Sequence, residues 1–223
     1  MTVGENQPIP LTQPITLELF RRIETAVRAA GHEATIAWTE SIQPPRTSAQ
    51  LATRAIYVIA NSGMKNSIAA PIAELVMRTL KRGHSARIAF GHPGKAPAMD
   101  WIWEHRRALF VSFKRTPDVL EWCGSLPWVG EVTKYHLAKN LGADVAKPDV
   151  HLERLAKAER TTTHELCARL SRESGLRAAT IDSILWRACA DGIIDSKSVA
   201  FRKVGKVGRK TPESGKSSGA DSQ

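Results

Sequence analysis

The chain has 223 residues, 42% of them hydrophobic, and a formal net charge of +10 at pH 7. That is enough apolar material for one large domain or two small ones, and no apolar run approaches the roughly 20 residues needed to span a bilayer. The opening MTVGENQPIP has neither the basic nor the apolar region of a signal peptide, so a folded, soluble, cytoplasmic protein is expected, with no membrane partner. Cys123, Cys167 and Cys189 are odd in number and widely spaced, which fits neither a disulfide framework nor a four-cysteine iron–sulfur site. The positive charge favours a polyanionic partner.

In chain order, residues 1–13 are polar and proline-bearing and read as a flexible arm. Leu17, Phe20, Ile23, Val27 and Ala30 fall at helical spacing and predict a first helix that stops at Gly31. Residues 34–38 are short and apolar, and Pro44-Pro45 marks a connector. A helix is predicted over 49–60, followed by the polar loop Asn61-Ser62-Gly63-Met64-Lys65-Asn66 and a helix over 67–81 with Pro71 in its first turns. A loop at Gly91-His92-Pro93-Gly94-Lys95 could line a cleft. The stretch 98–111 holds Trp101, Trp103, His105 and Phe110, although aromatics two apart do not share a helix face. Thr116-Pro117-Asp118 starts a short helix in a capping arrangement, with proline at its first position and Thr116 before it.

Next comes LPWVG, Leu126 to Gly130, which breaks the chain between an apolar segment and a helical pattern over 131–140. A helix starting there points free N–H groups and its positive dipole end at the turn, which suits a phosphate. Nineteen positions after Gly130 stands Asp149, preceded by Lys147-Pro148 and followed by His151 and Arg154. Proline disfavours helix at Lys147, and the aspartate can cap the helix beyond it. Thr161 to Thr163 offer caps for a helix to about 173, and a last helix is predicted over 178–190, with Trp186 and Arg187 read as structural. Residues 196–223 are basic and rich in Gly and Ser and read as a disordered tail.

LPxVG with a distal DxHxxR resembles the helix-hairpin-helix DNA glycosylase superfamily. The resemblance runs over about 57–158 and is carried by Leu126, Pro127, Val129, Gly130, Thr133, Asp149, His151 and Arg154, with Gly91 and Lys95-Ala96 in register upstream. It departs from the family in two places. Val132 stands where bifunctional members carry the Schiff-base lysine, and Lys134 lies about 200° around the helix from it. Trp128 replaces a usual glycine.

The resemblance implies an all-α fold of two helical domains, 14–46 plus 150–195 and 47–149, with the hairpin at 119–140 and a cleft between them. It implies a monomeric, monofunctional glycosylase without an iron–sulfur cluster or other cofactor, except for a monovalent cation at the hairpin. Its partner would be double-stranded DNA carrying a damaged or modified base, excised in repair or from hypermodified phage DNA. Asp149 would be catalytic and ionised. Trp128, Val129, Gly130, Val132, Thr133, Lys134, His151 and Arg154 would meet the DNA, with Met64 and Lys65 as the wedge loop. Asn61, Ser62, His92, Lys95, Trp101 and Trp103 are the base-pocket candidates, and Gly91 and Gly94 leave room for a substituent. A noncatalytic helix-hairpin-helix DNA-binding protein is the alternative.

Overall fold

The computed structural model describes residues 8–197; the greater part of the basic tail, from 198 on, lies outside them. The described residues form helices and no strand, joined by one isolated bridge between Ile9 and Ile194. No described helix is long and apolar enough to cross a membrane.

Helix α1 (Leu17–Val27) is capped by the Thr16 side chain and buries Leu19, Phe20, Ile23 and Val27 along one stripe. Gly31 is a kink rather than a stop: the chain passes through a π turn at Arg28–His32 and resumes as α2 (Glu33–Ser41). The short apolar stretch 34–38 therefore belongs to a helix. After it come α3 (Ser48–Asn61) and α4 (Asn66–Lys81), a 3-10 turn at Ala86–Ile88, and α5 (Lys95–Arg115). The short α6 (Val119–Gly124) is capped by Asp118, which accepts from Leu120 N and Glu121 N, two residues beyond the expected Thr116. The chain closes with α7 (Thr133–Asn140), α8 (Val150–Ala158), α9 (Thr163–Ser174) and α10 (Ala178–Ala190). A reciprocal capping box between Thr162 and Glu165 starts α9.

The buried apolar residues fall into two clusters. One runs from Leu51 to Leu141 around α3, which packs on α4, α5 and α7. The other joins the chain's ends, Leu11 to Ile36 with Ala146 to Ile194, around α10, which packs on α1, α2, α8 and α9. The supposedly loose arm is held from residue 9 onward: Ile9 N donates to Ile193 O at 2.7 Å, and Leu11 is buried.

Two connections link the clusters, one between Ile36 and Leu51 and one between Leu141 and Ala146. They meet at Gly142, whose φ is +93° and where a Cβ would come within 2.7 Å of Pro44 N. Glycine suits both the left-handed backbone and the close approach. Arg177 ties the crossing together by donating to the carbonyls of Thr39, Ile42 and Gly142.

Candidate active site

Asp149 caps α8, as its place after Pro148 requires. Its Oδ1 accepts from His151 N at 3.0 Å and Leu152 N at 3.1 Å. Its Oδ2 has no hydrogen-bond partner among the described residues, so one oxygen holds the helix and the other stays available. Burial pushes the carboxyl above the usual aspartate range, and Asp182 adds to this against the two capping N–H groups and Lys147. Desolvation thus outweighs the two amide hydrogen bonds that favour the charged carboxylate.

The segment carrying Asp149 is fastened to α10. Asp182, 2% exposed, accepts from Lys147 N at 2.9 Å and from Lys139 Nζ at 2.5 Å. Lys139 also donates to Ser183 Oγ at 3.1 Å.

Asp149 lines a cavity of about 190 Å³ built from side chains of both clusters. From the first come Tyr57 and Asn61 of α3, Asn66 of α4, and His136, Lys139 and Asn140 of α7. From the second come Thr35, Trp38 and Thr39 of α2, and Asp182, Ser183, Trp186 and Arg187 of α10. Asn66 Oδ1 accepts from Tyr57 Oη at 2.8 Å and from Asn61 Nδ2 at 3.0 Å. Tyr57 meets His136 edge to face at 6.3 Å. Burial, with Lys147 and Lys139 nearby, drops His136 to about 3, so its imidazole is neutral and offers one donor and one acceptor. The cavity thus combines aromatic faces, a neutral polar wall and a carboxylate.

Of the base-pocket candidates, Asn61 lines this cavity and the others do not. Lys95 is 5% exposed, and its Nζ is taken up by Ala60 O at 3.1 Å and Ser62 O at 2.5 Å, which fixes the end of α3. Ser62 contributes that carbonyl rather than a base contact. His92 Nδ1 accepts from Gly94 N and Lys95 N, both at 3.2 Å, and so caps α5. Trp101 stacks on His105 with ring centroids 4.4 Å apart, and Trp103 carries the Arg106 guanidinium at 4.3 Å. Trp186 and Arg187, read as structural, instead line the cavity.

The hairpin departs from expectation at Trp128, which adopts φ +65°. That left-handed conformation costs roughly 1–2 kcal/mol in any residue but glycine. The indole fills the space over Gly94, where a Cβ would lie 2.1 Å from Trp128 Cζ3, and meets His92 edge-on at 5.3 Å. The room at Gly94 is therefore occupied by Trp128. Val129 is 7% exposed and packs in the first cluster, so its side chain faces inward rather than toward a ligand. Val132 is 46% exposed at the start of α7, where no side chain caps the helix, and Thr133 is its first residue. The start of α7, which no side chain caps, suits an anion. Gly130 O accepts from Lys134 N, and Lys134 Nζ pairs with Glu131 at 2.5 Å, outside the cavity lining.

Met64 is half-buried against the first cluster and Lys65 is exposed beside it. His151 Nδ1 lies 3.0 Å from Ser196 Oγ, and Arg154 is partly buried on α8. No group of three or more acidic, histidine or cysteine side chains that could hold a metal ion occurs among the described residues.

No family model and no curated protein matches the chain in sequence. Among solved structures it is similar to the Methanocaldococcus jannaschii 8-oxoguanine glycosylase/lyase, crystallised with 15mer DNA containing 8-oxoguanine. The TM-score is 0.54 at 13% identity, over 80% of this chain and all of the other. The two chains share a fold.

Proposed function

We propose that the protein is a monofunctional DNA glycosylase that binds double-stranded DNA as a monomer. The observation that carries this reading is Asp149: one carboxylate oxygen is spent on the cap of α8, the other has no hydrogen-bond partner among the described residues, and the residue lines a small aromatic and polar cavity. The glycosylase-like fold supports it.

In this reading two helical domains, 14–46 with 150–195 and 47–149, clasp the duplex. The α7 amides hold a phosphate, assisted by Lys134 and Arg154 and by a monovalent cation on the hairpin carbonyls, and the loop of Met64 and Lys65 enters the gap left by the extruded nucleotide. Trp38 and Trp186 supply faces for the flipped base, while His136 and Asn61 meet its edge.

Cleavage of the N-glycosidic bond leaves oxocarbenium character on the sugar. Asp149 stabilises that charge and takes a proton from the attacking water, a task that its raised pKa suits. A lyase step is not part of the proposal, because Val132 has no amine.

The substrate would be a damaged base in repair or a modified base in foreign DNA. Incubation with duplexes carrying alkylated, deaminated, oxidised (8-oxoguanine included), mismatched and hypermodified bases, with released base read by mass spectrometry, tests the proposal. Release that vanishes in Asp149→Asn is expected. Tight, salt-sensitive binding with no release from any duplex would favour the noncatalytic alternative.

A further inference from the structure

A second cavity, of about 510 Å³, adjoins the first and shares Tyr57 and Asn140 with it. It follows the groove between α3 and α4, so the two volumes succeed one another along α3. Asn61 lines the first, Tyr57 stands at the junction, and Arg54 lines the second. Tyr57 is held at that junction by its hydrogen bond to Asn66.

The lining of the second cavity has a definite chemistry. Ala70, Ala73 and Met77 form an apolar floor. Arg54, Arg78 and Lys81 stand around it against one acid, Glu74, which leaves the rim positive. Arg54 is committed to Gln43 O and Asn140 O. Arg78 and Lys81 are exposed and have no ion-pair partner among the described residues.

Size separates the two volumes. Pockets that enclose small molecules run upward from roughly 300 Å³, and the cavity at Asp149, at about 190 Å³, falls below that. It suits a bare base, and a base with a bulky group needs further space. Resting on the glycosylase reading, we propose that the second cavity receives a linear substituent on the extruded base, apolar along its length and ending in a carboxylate. The chain passes Tyr57, lies along Ala70, Ala73 and Met77, and meets Arg78 and Lys81 with its charged end.

Competitive binding to the full-length Asp149→Asn protein tests this without turnover. The probes are duplexes with one deoxyuridine or deoxycytidine whose C5 carries hydrogen, an alkyl, a carboxyalkyl or an aminoalkyl chain. The carboxyalkyl duplex should bind about tenfold more tightly than the unsubstituted one, a difference of about 1.4 kcal/mol. Adding Arg78→Glu and Lys81→Glu, both at exposed positions, should abolish that ratio and favour the aminoalkyl duplex. Equal affinity for all four, or a preference that survives the charge reversal, would overturn the assignment. Base release by the wild-type protein is scored separately. If the binding order holds and nothing is released, the glycosylase reading fails and the cavity assignment stands. Release of bare bases with refusal of carboxyalkyl ones sinks the assignment alone.

Discussion

The indole of Trp128 occupies the space that a side chain on Gly94 would need, with 2.1 Å between its Cζ3 and an added Cβ. The hairpin turn and the start of α5 are therefore locked through one aromatic ring. Gly94→Ala should destabilise the protein by about 1–3 kcal/mol, the usual cost of overpacking, measured by urea denaturation. In a Trp128→Gly background the same change should be close to neutral, because its clash partner is gone and glycine relieves the positive φ. Full additivity of the two would show that the contact carries no energy.

Asp149→Asn should lose base release while keeping its melting temperature or raising it at neutral pH. Asparagine caps a helix about as well as aspartate, and the buried carboxylate is penalised by desolvation. A lower melting temperature would show that the capping charge stabilises more than burial costs.

The pH dependence of release follows from the raised pKa of Asp149. The folded protein keeps the Asp149 proton to higher pH than the unfolded chain, whose aspartates titrate near ~3.9. Ionising it therefore costs stability as pH rises from that value through the folded pKa. The proposed mechanism needs the anion, so the acid limb of kcat/KM should lie above the ordinary aspartate range. Asp182→Asn removes a facing negative charge and frees the Lys139 ammonium, both of which favour the anion; the limb should move to lower pH. A shift the other way would mean that Asp182 acts by holding Lys147 in place.

His136 should stay neutral across pH 5 to 8, which an NMR titration of its ring protons would test. Its pKa of about 3 in the folded protein lies below that of an unfolded histidine. The unfolded chain takes up a proton below roughly 6.5, and the folded protein does so only near 3. Stability is thus lost as pH falls through that window, and His136→Gln should remove this part of the loss. A ring titrating near 6.5 would show that the cavity is wetter than its packing implies.

Borohydride should trap no covalent DNA adduct. If one forms, loss on Lys139→Ala or Lys147→Ala would point to one of the two lysines lining the cavity, and loss on Lys134→Ala to the hairpin lysine; any of these would make the activity bifunctional.

The helices were legible in the sequence wherever a local rule governed them. Apolar spacing predicted α10 over 178–190, and Pro148-Asp149 predicted the cap of α8, because capping involves residues two or three apart. Gly31 misled, since a glycine that ends one helix and one that kinks two into each other look alike until α2 finds α10 to pack on. Asp118 rather than Thr116 caps α6 because the backbone turns after Pro117, a choice that spacing does not encode.

The cavity was less legible, yet it left a trace. Tyr57 and Asn61, His136 and Asn140, Thr35 and Thr39, and Asp182 and Trp186 are all pairs four apart, polar or aromatic residues interrupting a helix's inner face. Such pairs mark a wall without saying which walls oppose one another. The aromatic richness around Trp101 and Trp103 pointed elsewhere, and those rings found partners within α5 itself.

The sequence alone determined the all-helical class, the turn between α6 and α7 and the placing of Asp149 at a helix start, since each depends on residues close in the chain. Tertiary structure decided what surrounds Asp149. Its pKa rises because α10 brings Asp182 and burial to it, and its cavity exists because α2 and α10 face α3 and α7 across the two connections at Gly142. Desolvation and opposed walls are properties of chains brought together from far apart, and no local pattern states them.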